Sequence, residues 1–185
     1  MGSSKLTPRI AAHTLSVHGR VLDVGAGRGY EARLWPADAT YVALDIDHRM
    51  LAAGHQKRPV QAEATRLPLL TDSVDMVLCK QISHHIPDTV LDDMFDEIWR
   101  VLRPSGQFLF MDAVKTGRLA SRVLWHYDRG SHPRSEPDLL ERLQRRFRIV
   151  SREAYWNFHT YLLFALEPLE VAVAVRPGPS VPHST

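Results

Sequence analysis

The chain has one cysteine, Cys79, among its 185 residues. No internal disulfide can staple it, and this thiol content fits a reducing compartment. Long hydrophobic runs are missing as well. Nothing in the sequence reaches the roughly 18–20 apolar residues of a transmembrane helix. The first residues, with Lys5 and Arg9, lack the apolar core of a secretory signal. A cytoplasmic location without membrane insertion is therefore the expectation. Neither sign of charge dominates: 23 Lys and Arg against 21 Asp and Glu leave a net +2, too little to imply nucleic acid or an anionic membrane as partner. No internal repeat is visible, and no set of metal ligands is complete. His126-x-Asp128-x-x-x-His132 runs into Pro133 with no further ligand, so no metal is expected. What is present is ordinary in bulk, 44% hydrophobic and 24% charged, in a length that suits one domain with a substantial core.

The most informative segment is Val21-Leu22-Asp23-Val24-Gly25-Ala26-Gly27-Arg28-Gly29. Apolar β-formers run into a glycine-rich turn that a helix can follow, the opening of a nucleotide-binding α/β fold. A dinucleotide site needs G-x-G-x-x-G, with glycine at position 30; that residue is Tyr30, and the third glycine comes one residue early, at Gly29. Asp23 points the same way. A carboxylate beside a pyrophosphate would repel it by roughly a kcal/mol or more, whereas it suits an ammonium or a sulfonium. S-adenosylmethionine is a phosphate-free nucleoside with such a cationic arm.

Further segments follow in order. Tyr41-Val42-Ala43-Leu44-Asp45 reads as a second strand ending in an acid 20 residues beyond Gly25, where a ribose is bound. Gln61-Ala62-Glu63-Ala64-Thr65-Arg66-Leu67-Pro68 precedes a strand-like Val74-Asp75-Met76-Val77-Leu78-Cys79. The turn Ser83-His84-His85-Ile86 comes next, then Arg100-Val101-Leu102-Arg103-Pro104-Ser105-Gly106 leading into Gln107 to Phe110. Over residues 18 to 168 the sequence resembles the class I S-adenosylmethionine-dependent methyltransferases, in particular the subfamily acting on small metabolites, quinones, lipids and natural products. The resemblance assigns cofactor contacts to Asp23, Gly25, Ala26, Gly27 and Gly29 in the turn. It adds Asp45 and Ile46 at the ribose, Glu63 and Ala64 at the adenine, and Lys80 and Gln81 after the fourth strand.

Alternating strands and helices predict an α/β fold: a Rossmann-like doubly wound sheet with helices on both faces and a reversed final strand. Helices are expected at Thr7 to Leu15, Tyr30 to Trp35, His48 to Lys57, Thr89 to Leu102 and Pro137 to Phe147. Asp88 is a plausible cap for the fourth of these, and Pro104 with Gly106 its stop. Ile149 to Tyr155 and Phe158 to Leu166, joined by Trp156-Asn157, must be antiparallel, because that link is too short for a crossover. Residues 1–17 read as a helical extension and 18–168 as the binding domain. Within it, 115–136 is a candidate substrate lid, with amphipathic helix and surface loop as the alternative. Residues 169–185 form a tail whose apolar half is a candidate edge strand or subunit contact.

Methyl transfer from a sulfonium is an in-line displacement that alignment can largely accelerate, and a base is needed only when the acceptor must lose a proton. His84 and His85 follow the fourth strand, at the edge where ligands bind, and are the candidate bases, with His84 preferred. Tyr127, His126 and His159 are outside candidates. Ordering of the turn is the competing role for the histidines. Asp112 follows the fifth strand, but the matching acid of metal-dependent relatives is replaced by Lys80-Gln81. Cys79 reads as a buried strand residue, and the Arg142-to-Arg148 run as a solvated helix face. The Asn/Asp-Pro-Pro-aromatic motif of base-amine methylation is absent, with Cys79-Lys80-Gln81-Ile82 in its place. The expected partner is a small-molecule methyl acceptor, not nucleic acid, and a homodimer would be one way to complete an open pocket. A tRNA-modifying enzyme and a non-catalytic binding module are the alternatives; the intact Asp23, Gly25, Gly27, Gly29, Asp45 and Glu63 argue against the second.

Overall fold

The computed structural model describes residues 7–14, 17–54, 58–117, 121, 125–126, 132–157 and 159–170. Strands β1 (Arg20–Val24), β2 (Thr40–Asp45), β3 (Pro59–Gln61), β4 (Val74–Lys80), β5 (Leu102–Val114), β6 (Phe147–Asn157) and β7 (His159–Pro168) form one sheet in the order β3-β2-β1-β4-β5-β7-β6. The first five strands pair in parallel, whereas β7 runs antiparallel to both β5 and β6. The reversed strand is thus inserted between its neighbours. The strand order turns around between β1 and β4, so their carboxyl ends open the crevice where such sheets bind ligands.

Period-two alternation gives the sheet two apolar faces. Leu22, Val24, Val77, Cys79, Phe108, Phe110 and Phe164 face one layer, which α3 (Asp88–Val101) covers with Leu91, Met94, Phe95 and Ile98, and α4 (Glu136–Leu143) with Leu139 and Leu143. Phe95 meets Phe108, Phe110 and Phe147 edge-on at 5.5–6.5 Å, near the preferred aromatic geometry. Val21, Tyr41, Ala43, Met76, Leu78, Leu109 and Met111 face the other layer, against Ile10 of α1 (Thr7–Thr14), Trp35 and Leu51 of α2 (His48–Ala52). Each fully buried Leu, Ile or Phe contributes about 1.5–3 kcal/mol relative to exposure.

Several element boundaries differ from expectation. Residues 30–34 form a 3-10 turn. Helix α2 stops at Ala52, with the Ala53 amide on the Arg49 carbonyl at 3.1 Å, and the expected continuation at 55–57 lies outside the described residues. Asp88 does not cap α3. Pro87 holds that position, and Asp88 begins the helix paired with Arg134 and Arg142 at 2.7 and 2.6 Å. Helix α3 ends before Pro104 and Gly106 because Leu102 already pairs with Val74 at the start of β5. A register shift between Val74 and Met76 then absorbs the extra residues, and a Cβ on Gly106 would sit 2.9 Å from the Leu102 side chain.

Strand β3 escaped the sequence reading because it is a short edge strand that opens on a proline. Helix α4 starts at Glu136 behind a Ser135–Asp138 capping box, and Phe147 lies in the aromatic core as the first residue of β6. Trp156 and Asn157 are strand residues, with the ladder running on to the Asn157–His159 pair. Leu119, Val123, Leu124 and Tyr127 of the candidate lid and residues 171–185 of the tail lie outside the described residues. Leu169 is tied down: its amide donates to the Arg146 carbonyl at 2.8 Å, and its carbonyl accepts from the Trp99 indole at 3.1 Å.

Candidate active site

The carboxyl end of β1 turns sharply because Gly25, Gly27 and Gly29 take φ values of 70°, 54° and 64°, in the left-handed region that side chains disfavour. Gly25 is doubly constrained, since a Cβ there would lie 2.7 Å from the Ile82 methyl. The amides of Gly25 and Ala26 donate to the Leu44 carbonyl at 2.8 and 3.0 Å. Asp45, at the end of β2, accepts from the Gly27 amide at 2.7 Å and from the Asp47 amide at 2.9 Å. It therefore shapes the turn while retaining lone pairs for a ligand.

Gly25, Asp45, Ile46, Glu63 and Ala64 line one cavity of about 160 Å³, closed on its other side by Ile82, Ile86 and Val90. The structure thus brings five of the expected cofactor residues together. Ala26 packs into the apolar layer, and Gly29 caps the 3-10 turn. The loop carrying Glu63 and Ala64 is fixed from behind by a residue the sequence did not single out. Arg100, buried on α3, donates to the carbonyls of Leu67 and Leu69 at 3.1 and 2.9 Å and pairs with Glu97, which accepts from the Leu67 amide at 2.8 Å. A helix-borne Arg three residues after a Glu looks like a surface pair; only the tertiary contact reveals the clamp.

Lys80 ends β4 and Gln81 follows it. Lys80 pairs with Glu31, a carboxylate in the 3-10 turn that is only 4% exposed. Gln81 holds φ at 56°, with its amide on the Met111 carbonyl at 2.8 Å. Such backbone strain in a non-glycine residue clusters at ligand sites. Asp23 is buried on the same sheet face as Tyr41, whose hydroxyl donates to it at 2.5 Å. Burial raises the Asp23 carboxyl from 3.8 to about 7; the Tyr41 hydrogen bond opposes the rise and the nearby Glu31 charge adds to it. Asp23 and Glu31 leave this end of the sheet rich in carboxylate, with Lys80 as the balancing cation.

His84 and His85 part ways in the 3-10 turn at 83–85. His84 is buried, its Nδ1 bonded to Asp112 of β5, while His85 is exposed on the turn with its ring 4.1 Å from that of His84. Asp112 is fully buried and also accepts from the Ser83 and Ala113 amides, both at 2.7 Å. Its register on β5, four residues beyond the core position Phe108, could not be paired with His84 from sequence. Trp125 closes one side, 5.7 Å from the His84 ring and 4.6 Å from that of His159. His126 is exposed, and Tyr127 is outside the described residues. Arg134, buried behind the turn, donates to the Ser83 and Ile86 carbonyls and anchors it to Asp88. Cys79 is buried with its thiol pushed well up by burial, as befits a core residue. Among the described residues no group of side chains could hold a metal ion, and no helix is long and apolar enough to cross a membrane.

Comparison with known proteins points the same way. Residues 22–110 match the methyltransferase domain family. Over those residues, just under half of the chain, it is similar to class I S-adenosylmethionine-dependent methyltransferases. An uncharacterized methyltransferase of Mycobacterium ulcerans is 39% identical over 105 residues, 52% of this chain and 40% of that protein. A fatty-acid O-methyltransferase of Mycolicibacterium smegmatis is 39% identical over 106 residues, 51% of this chain and 37% of that protein. The chain's matches span about half or less of the length of these curated relatives. The methyltransferase fold is also that of a solved S-adenosylmethionine-dependent methyltransferase from Methanosarcina mazei, with TM-score 0.75 and 17% identity over 87% of this chain and 98% of that one.

The cavity lining is compatible with S-adenosylmethionine: a Cβ at Gly25 would crowd Ile82, and Asp45 and Glu63 offer acceptors for hydroxyl and amino groups.

Proposed function

We propose that the chain transfers the methyl group of S-adenosylmethionine to a small-molecule acceptor, with His84 receiving the acceptor's proton. The cofactor, when bound, supplies an electrophilic methyl on a sulfonium. In this reading Asp45 and Ile46 hold the ribose, Glu63 and Ala64 the adenine, and the turn from Gly25 to Gly29 with Asp23, Lys80 and Gln81 the amino-acid arm. The observation that carries the assignment is the His84–Asp112 pair on the turn between Ile82 and Ile86, two residues that line the Gly25–Asp45 cavity. Asp112 fixes the ring, the arrangement of a base with an orienting carboxylate. Arg134 holds the same turn from behind, so the base sits on a rigid element. Trp125 and His159 beside it supply an aromatic wall for the acceptor.

The acceptor class rests on chemistry and likeness together. The lining named here offers rings and donors, which suit a metabolite, quinone, lipid or natural product carrying an oxygen nucleophile. The fatty-acid O-methyltransferase among the relatives makes carboxylic acids the first compounds to screen. The test is calorimetric titration with S-adenosylmethionine, followed by an acceptor screen with labelled methyl donor, on wild type, His84→Gln and Asp112→Asn. Both variants should keep cofactor affinity and lose on the order of 10²–10⁴ in rate, the usual worth of a general base. Full rate in His84→Gln with cofactor still bound would remove the base assignment and mark an acceptor that arrives already ionised. Absence of cofactor binding in the wild type would remove the whole reading.

A further inference from the structure

A second cavity, about 430 Å³, opens beside the 3-10 turn and shares no lining residue with the Gly25–Asp45 cavity. Arg28, Arg33 and Arg58 line it with Tyr30, Trp35 and Tyr41, and no acidic residue contributes to its wall. Most of the described arginines outside this cavity are held by acids. Arg9, Arg100, Arg103, Arg134, Arg142, Arg145, Arg146, Arg148 and Arg152 each pair with a carboxylate. Among the described residues Arg28, Arg33 and Arg58 make no such pair. The two carboxylates in the surrounding segment are engaged elsewhere: Glu31 with Lys80, and Asp38 with His18 at 2.9 Å.

A buried donor adds an independent observation. Trp35 is only 7% exposed, and its indole N–H has no acceptor among the described residues. Buried donors are nearly always satisfied, so this one, on a residue of the cavity wall, leaves an unmet demand beside the site. Three guanidinium groups make a lining of donors without a balancing anion. Planar guanidinium forks match the oxygens of phosphate in pairs, more closely than a lysine would. Tyr30, half exposed at the rim, offers an aromatic face to whatever carries the phosphate. The pocket is concave and walled by a buried tryptophan, and a net charge of +2 gives no extended basic track for a nucleic-acid backbone.

We infer that this cavity binds a small phosphate-bearing ligand at a site separate from the cofactor's. The two sites adjoin at Gly29, the last residue of the cofactor turn, and at Tyr41, which lines this cavity and donates its hydroxyl to Asp23.

The test is calorimetric titration of the full chain with phenyl phosphate and with inorganic pyrophosphate, each with and without saturating S-adenosylhomocysteine. The variants are Arg33→Gln/Arg58→Gln, Trp35→Phe, and Arg49→Gln as an exposed arginine outside the cavity. One saturable site is expected for at least one probe, undisturbed by S-adenosylhomocysteine. The double variant should weaken it by about tenfold or more, as loss of charge-assisted hydrogen bonds does, with Arg49→Gln unchanged and S-adenosylhomocysteine affinity kept throughout. Tighter phenyl phosphate would identify an organic phosphate and tighter pyrophosphate a free inorganic anion; either supports the site. No saturation by either probe overturns the inference, as does equal weakening in Arg49→Gln or displacement by S-adenosylhomocysteine. Binding of a tRNA with no response to the small probes overturns it too. Retained S-adenosylhomocysteine binding in these outcomes separates failure of this site from failure of the cofactor assignment.

Discussion

Asp23 offers the sharpest test of how the site is built. The carboxyl is buried, hydrogen-bonded by Tyr41 at 2.5 Å, and its nearest cation, Lys80, is already paired with Glu31. Burial lifts it from 3.8 to about 7, so the folded state holds this proton more tightly than the unfolded chain does. Between those values folding takes up a proton, and stability through this group falls as pH rises; it is fully present below about 4 and gone above about 7. The gap corresponds to about 4 kcal/mol, an upper bound on the order of magnitude. Asp23→Asn removes the titration while leaving an acceptor for the Tyr41 hydroxyl. Denaturant unfolding of wild type and variant across pH 4 to pH 8 should give equal stabilities at the acid end and a variant more stable by up to about 4 kcal/mol at pH 8. Subtracting the two curves cancels every other titrating group. The same variant should bind S-adenosylmethionine weakly and without the wild type's gain between pH 6 and pH 8, where the carboxylate becomes available to a cation. Parallel stability curves would refute the burial argument, and unchanged cofactor affinity would separate Asp23 from the ligand.

Asp45→Ala should weaken S-adenosylmethionine by more than tenfold, roughly 1.5–3 kcal/mol for a charge-assisted bond; unaltered calorimetric affinity would show the ribose assignment to be misplaced. Ser135→Ala removes the capping box of α4 and should cost about 1 kcal/mol, read from the denaturation midpoint; an unmoved midpoint sinks it. Cys79, buried with its thiol pushed up, should resist thiol reagents at pH 8 in the native protein and react once the chain is denatured. Rapid native labelling would contradict that placement.

The sequence by itself determined the strand–turn start, the identity of the acids that follow strands, and the antiparallel last pair. These depend on local physics. Positive φ requires glycine at 25, 27 and 29, alternation marks Tyr41 to Asp45, and the α3 periodicity of Leu91, Phe95 and Ile98 survives in the packed helix. Where elements stop was less legible, because a stop is set by partners. Leu102 leaves α3 to pair with Val74, and Phe147 leaves α4 for the aromatic core, outcomes that no helix propensity encodes. The site divides the same way. Asp23, Asp45 and Glu63 stand in motifs, so spacing found them. The Asp112 contact that orients His84, the Arg100 clamp behind Glu63, and the Glu31 partner of Lys80 join residues 28, 31 to 33 and 49 positions apart. Only the packed sheet and its covering helices bring those groups within hydrogen-bond reach. Burial, which removes competing water, then strengthens those contacts.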